Sequence, residues 1–490
     1  MIEHLPALQV VIPLMAAPVA SVLRWRRMAW AWTLVISWAA LAMSILLLRQ
    51  VMEGGTISYA MGGWTAPIGI EYRIDIVSAW VLLIVTTIGA VVVPYAGASV
   101  EREVQPQRIP LLYAALLLCL SGLLGITVTG DIFNLFVFLE ISSISAYALI
   151  AAGPDRRALH AAFKYLIMGS IGATFIVIGI GMMYVMTGTL NMADLAERIP
   201  QVSSRTISVA FAFLTVGISL KLALFPLHLW LPDAYAFAPS AVTVFLASTA
   251  TKVAVYMLVR VFFTVFGPAF SLEVMTFHRV LLPLAILGIL SGSMTAIYQM
   301  NVKRLLAYSS VAQIGYMVLG ISLISVTGLT GGLLHLFNHA LIKAALFMAM
   351  GCVMYQVGSV NLEAMKGLGR QMPWTMAAFV AGGLSLIGLP GTVGFISKWY
   401  LVLGAVEAGR WVVVGFILLG SLMALVYIWK VVEVAYFQEG ADDGRVREAP
   451  VSLLLPTWIL VLANVYFGLD ANLTAGVATR AAEVLLRVAP

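Results

Sequence analysis

Seven ionisable side chains stand where hydrocarbon would ordinarily exclude them. Glu140, Lys221, Lys252, His335, His339, Lys343 and Lys398 all lie in long apolar runs. A charge at bilayer depth costs at least about 2.5 kcal/mol on insertion scales, so such residues usually face a protein interior and carry function. Lysine suits proton carriage, because burial disfavours a charged amine and a nearby carboxylate restores it. Glu140 supplies a candidate carboxylate, about nine residues and so about 14 Å into its run. The alternative for Glu140 is a structural carboxylic acid bonded to Ser142, Ser143 or Ser145, while Asp131, at the head of that run, reads as a helix N-cap.

His335, His339 and Lys343 recur at four-residue intervals, which puts all three on one helix face. Two histidines so spaced can ligate metal, but no third ligand and no H-E-x-x-H pattern accompanies them. A stripe relaying protons through imidazoles and water is the better account. Lys221 is followed one turn later by Pro226, and Lys398 follows Pro390 and Gly391 in GLPGTVGFISK. A broken helix is tolerated at membrane depth only where it is buried in protein or lines a wet cavity. The blander reading is a proline kink in a packed helix. Beyond the first break, His228 and Asp233 are candidates for proton entry, although His-x-Trp-x-Pro-Asp also reads as a capped re-entrant turn. Lys398 is expected where it can exchange with one aqueous side.

The elements that must carry these groups are membrane helices. The chain of 490 residues is 62% hydrophobic and 10% charged, with mean hydropathy +1.01. That excludes an ordinary soluble protein, and the absence of strand alternation disfavours a β-barrel. Cys119 and Cys352 both lie in apolar runs, so a disulfide or metal cluster is not expected. The net charge of +6 is scattered between spans and is not a nucleic-acid patch. Fourteen spans are expected, beginning near residues 4, 28, 72, 109, 131, 163, 206, 239, 279, 302, 329, 374, 411 and 451. Residues 52–71 read as an external loop, 438–450 as the most polar loop and 470–490 as a short amphipathic tail. No basic segment precedes the first run, whereas Arg24, Arg26 and Arg27 follow it. Loops on that side, with Arg156, Arg157, Lys303, Arg304 and Arg445 among others, hold about twice the basic residues of the opposite set, which places both termini outside.

The seventh and twelfth spans are the broken ones, five apart. Spans four to eight and nine to thirteen therefore read as inverted repeats, and paired broken segments are the best sequence pointer to a transport site. The chain divides into 1–108 (spans one to three), 109–265 (first repeat), 266–437 (second repeat) and 438–490 (polar loop, last span and tail). The expected fold is an all-α polytopic membrane protein.

The stretches GDIFNLFVFLEISSISAYALI, SLKLALFPLHLWLPDAYAFAPSAVTVFLASTATKVAVY, NVKRLLAYSSVAQIGYM, LLHLFNHALIKAALF and LSLIGLPGTVGFISKW resemble a known family. It comprises the antiporter-like proton-translocating subunits shared by respiratory complex I, membrane-bound hydrogenases and Mrp-type sodium/proton antiporters. The resemblance covers spans five to thirteen and is greatest to the D-type member of the Mrp antiporters, which the chain's length also favours. It implies that Glu140 and Lys221 form the switch pair and that Lys252 is the connecting lysine. His335, His339 and Lys343 would form the central axis, with Lys398 its terminal lysine. It also implies a hetero-oligomer of membrane subunits in the cell's inner (plasma) membrane, moving protons and sodium ions without a bound cofactor. A redox-driven proton pump and an inactive scaffold subunit are the alternatives.

Overall fold

The computed structural model describes residues 2–202, 204–439 and 446–486. Arg445, used above to orient the chain, lies outside them. The chain enters through α1 (Leu5–Val22) and α2 (Arg26–Gly54) and crosses a small hairpin, β1 (Ile57–Ala60) and β2 (Glu71–Ile74). There follow α3 (Ile76–Glu103), α4 (Ile109–Val128), α5 (Ile132–Ala151), α6 (Arg157–Thr187) and the short α7 (Met192–Arg198). Next come α8 (Arg205–Lys221), α9 (Leu231–Phe237) and α10 (Ser240–Val259), then a π-helical segment (Arg260–Val265) and the single turn α11 (Gly267–Ala269). The second half holds α12 (His278–Ile297), α13 (Val302–Ser322), α14 (Val326–Val357), the single turn α15 (Leu368–Gln371), α16 (Pro373–Ile387) and α17 (Val393–Glu407). It closes with α18 (Trp411–Phe437), α19 (Val451–Leu469) and the amphipathic α20 (Asn472–Leu486).

Continuous apolar runs with no polar periodicity make these helices, and short polar side chains start them. Asp75, Asp131, Asn191, Ser204, Asn301 and Ser325 each accept a backbone N–H at a helix N-terminus. Such a cap typically contributes about 1 kcal/mol. Among the described residues, twelve helices are long and apolar enough to cross a membrane. The seventh and twelfth expected spans are in two pieces each, α8 with α9 and α16 with α17, none longer than 17 residues. Residues 52–71 are not simply loop. Helix α2 runs on to Gly54, and the alternating Ile57, Tyr59, Tyr72 and Ile74 pair across the hairpin.

The hairpin marks one end of the molecule. His4 Nδ1 lies 3.0 Å from Tyr59 Oη there, and Val484 and Leu485 of α20 line a cavity with Arg73 of β2. The first and last described helices therefore begin and end, respectively, at the same end. Also at this end, Asp131 bridges Asn191 in antiparallel β fashion, with Ile132 N donating to Leu190 O and Met192 N to Gly130 O. At the opposite end Asn301 bridges Asn361 in the same way, with Val302 N donating to Val360 O and Leu362 N to Met300 O. Helix α14 occupies the centre, in contact with α3, α10, α13, α16, α17, α19 and α20, and every residue from Gly328 to Val353 is buried.

Candidate functional site

Helix α8 stops at Lys221, and the chain runs irregularly until α9. Within this break Ala223 has φ 60°, a left-handed conformation that costs an L-residue about 1–2 kcal/mol. The Trp230 indole reaches back to donate to Leu220 O at 3.0 Å, satisfying a carbonyl at the broken end. Lys221 is 4% exposed; it donates to Ser143 Oγ at 2.9 Å and lies 3.7 Å from Glu140 Oε1. Glu140 and Lys221 therefore meet. The serine-bonded alternative for Glu140 does not hold: Ser142 and Ser145 bond carbonyls of their own helix, and Glu140 Oε1 has no hydrogen-bond partner. Its side chain is also 31% exposed, on a lateral face of the bundle, which depth along the helix alone does not reveal. Tyr147 packs beside the pair, and a Cβ on Gly169 would collide with Tyr147 Oη and come within 3.4 Å of Lys221 Nζ.

A cavity of about 30 Å³ separates Lys221 from Ala250, Val253 and Ala254 of α10, the helix that carries Lys252. The cavity's polar lining is Ser142, Ser143, Tyr165 and Lys221, the remainder is largely apolar, and its volume has room for a water. Lys252 is fully buried and donates to Ala247 O and to Thr251 Oγ1 at 3.5 Å. On α14, Lys343 is held by Leu306 O at 2.7 Å and by Ser309 Oγ. His335 lies between Gln313 Oε1, 3.0 Å from its Nε2, and Ser397 Oγ, 2.8 Å from its Nδ1. An amide oxygen only accepts, so with this amide orientation Nε2 carries the proton and Nδ1 accepts from the serine. His339 stacks against His335 at 5.8 Å, and neither of its ring nitrogens has a protein partner. Buried nitrogens left this way are normally served by ordered water. Among the described residues Lys221 is the one lysine of these four with a carboxylate within 4 Å. The others are cradled by neutral carbonyls and hydroxyls.

The break between α16 and α17 spans Gly388, Pro390 and Gly391, with Gly388 and Gly391 at φ 93° and 86°. Lys398 does not face an aqueous side. It is 6% exposed and folds back onto the broken end, donating to Leu386 O at 3.0 Å, Ile387 O at 2.8 Å and Ser421 Oγ at 3.0 Å. The break leaves those carbonyls without helical donors, and the ammonium supplies them. Asn338 of α14 ties into the same region, donating to Val393 O at 2.6 Å.

His228 is 8% exposed, stacks on Phe225 and has an unbonded Nδ1. Asp233 is not a free carboxylate: Lys164 of α6 holds it at 3.1 Å and Arg304 of α13 at 3.3 Å. Sequence reasoning missed Gln313, Ser309, Ser397 and Ser421, as well as the buried pair of Arg260 and Asp75. For Arg260 an arginine inside an apolar run was the available signal.

Residues 129–424 match the family described as "NADH:quinone oxidoreductase/Mrp antiporter, TM". The chain belongs to that family. It is 42% identical over 487 residues to NADH-quinone oxidoreductase subunit N of Desulforudis audaxviator, covering 96% of each. It is 31% identical over 437 residues to the D-type chain of the Na(+)/H(+) antiporter of Alkalihalophilus pseudofirmus, covering 88% of this chain and 87% of that one. Among solved structures it superposes with TM-score 0.91 on a chain of the membrane-bound sulfane sulfur reductase, an archaeal respiratory membrane complex. That chain is 30% identical, with 99% of this chain and 98% of that one covered. This is a family of antiporter and complex I-type proton-translocating subunits, matched over the stretch that holds Glu140, Lys221, Lys252, Lys343 and Lys398.

Proposed function

We propose that this chain translocates protons along Lys221, Lys252, the His335–His339–Lys343 stripe and Lys398, with Glu140 opposite Lys221 as the switch. The observation that carries the reading is the setting of the four buried lysines on this path. Each amine is satisfied by hydroxyls or carbonyls, and a carboxylate stands at one terminus of the line alone. Neutral carbonyls and hydroxyls hold a lysine's extra proton less firmly than a carboxylate does, whereas a fixed carboxylate beside every lysine would hold them all charged. When Glu140 approaches Lys221 the proton stays, and when it withdraws the proton moves on through the small cavity towards Lys252. These groups titrate as a coupled set. Entry runs past His228, with Asp233 anchoring the break.

The architecture we assign is fourteen spans with both termini outside, in the plasma membrane. The parts are 1–108, two inverted repeats at 109–265 and 266–437, and 438–490. The twin β-bridges support the repeats, since each joins residues 60 apart and they lie at opposite ends of the bundle. The partly exposed Glu140 supports a neighbouring membrane subunit against that face, because a carboxylate facing lipid would be costly. Sodium/proton exchange is one reading of the driving force. The 42% identity to a quinone-oxidoreductase subunit favours the other, a redox-driven complex. A pH-dye assay on everted vesicles, with the chain and its neighbouring subunits, tests both. Sodium-induced dequenching lost in Lys221→Ala supports exchange, and acidification by an electron donor lost in the same variant supports the pump. Signals indifferent to Lys221 would refute the proton path.

A further inference from the structure

A second buried cluster lies at the hairpin end, beyond the path above. Arg260, 6% exposed, grips Asp75 with both arms of its guanidinium: Nη1 donates to Oδ2 at 2.6 Å and Nη2 to Oδ1. Its Nε donates to Tyr256 Oη at 2.9 Å, and Nη2 also donates to Ser78 Oγ at 2.8 Å. Tyr256 donates onward to Thr127 O at 2.8 Å. Asp75 caps α3 and Thr127 lies at the end of α4, so the cluster ties the far end of α10 to both helices. The backbone turns π-helical at Arg260, a geometry frequent at functional sites. A cavity of 430 Å³ lies against the pair, lined by Arg73, Thr129, Glu197 and Thr264 as well as Asp75 and Arg260 themselves. Arg260 also stands two turns beyond Lys252 on the same helix, about 12 Å along its axis.

We propose that the Asp75–Arg260 pair is the outer barrier of the translocation path, an immobile ion pair whose guanidinium never gives up its proton, between the hairpin-end cavity and Lys252. This rests on the proton path proposed above. An arginine keeps its proton in any protein environment, so it cannot act as a relay. Held by a carboxylate, a phenol and a hydroxyl, it cannot swing aside either. The bidentate bond to Asp75 offsets most of its charge, so what it presents to protons arriving from the cavity is a rigid group that never deprotonates. Stability is a weak reason for such a pair, because a buried ion pair often does no better than an apolar one of similar shape. Its place at the wall of an open cavity, two turns along the helix from Lys252, is what a barrier requires.

The test is passive proton leak in proteoliposomes holding the purified complex, read by an entrapped pH dye after an external acid jump, with the membrane potential clamped. Arg260→Leu is expected to raise the leak at least tenfold, and Arg260→Lys to keep it at the parental level. The double variant Arg260→Leu/Lys343→Met is expected to return the leak to that level, because the escaping protons use the same path. A parental leak in a correctly assembled Arg260→Leu complex overturns the barrier, and so does a leak that persists in the double variant. Should Arg260→Leu not assemble, Arg260→Gln gives the same two readings. Driven transport measured in Lys343→Met separates the two proposals. If it is lost there while every leak is parental, the barrier alone fails; if it is undiminished, the path itself fails.

Discussion

Glu140→Gln removes one charge while preserving shape, and so isolates the switch. Two unit charges 3.7 Å apart attract by about 4 kcal/mol at an effective dielectric of about 20. The 31% exposure of the Glu140 side chain reduces this towards the roughly 1 kcal/mol or less of surface pairs. An intermediate of about 2 kcal/mol is a factor of about thirty in the balance between the closed and open pair. In the everted-vesicle assay, Glu140→Gln is expected to slow driven proton transport about ten- to thirtyfold at unchanged assembly. Ser143→Ala removes the neutral partner at 2.9 Å, worth about 1 kcal/mol, and is expected to slow it about fivefold. Glu140→Gln transporting within a factor of two of the parent would refute the switch.

Lys343→Met is expected to abolish driven transport while leaving the complex intact by size exclusion, since the replacement fills the same volume without the charge. Gly388→Ala combines a φ of 93° with a Cβ 3.0 Å from Lys398 Cδ, and is expected to lower the midpoint of thermal unfolding by several degrees and to impair transport. Ala223→Gly relaxes the left-handed residue at the first break, and should leave thermal stability unchanged or raise it by about 1 kcal/mol, whereas Ala223→Val should lower it. Asp233→Asn loses ion pairs to Lys164 and Arg304 worth about 0.2–1 kcal/mol each, and transport is expected to stay within a factor of two.

Much of this site is legible in the sequence because each feature carries a local signal. The lysines stand out against apolar runs, proline and glycine mark both breaks, and the four-residue spacing puts His335, His339 and Lys343 on one face. The hairpin is hidden because Gly62, Gly63 and Gly69 read as loop, while its strands are only four residues each. The true partners of the lysines are hidden for another reason. Leu306 O, Leu386 O and Ser309 Oγ are ordinary groups that gain meaning only when helices distant in sequence meet. Asp75 and Arg260 are 185 positions apart, so neither residue announces the other. For Lys398, closeness to a break suggests water, whereas the break's own freed carbonyls claim the ammonium.

The long buried stretch of α14 also bears on how the protein is made. His335, Asn338, His339 and Lys343 all sit on one 32-residue helix that must enter the bilayer before its surroundings exist to shelter them. A lysine at mid-helix opposes insertion by about 2.5–3.5 kcal/mol, and each leucine, isoleucine or phenylalanine returns a few tenths. The leucines and phenylalanines of LLHLFNHALIKAALF therefore serve biogenesis as well as packing, keeping the helix apolar enough to cross a membrane. Replacing them with alanine or serine would spare the finished core's polar contacts and still leave the ribosome with a helix the membrane refuses.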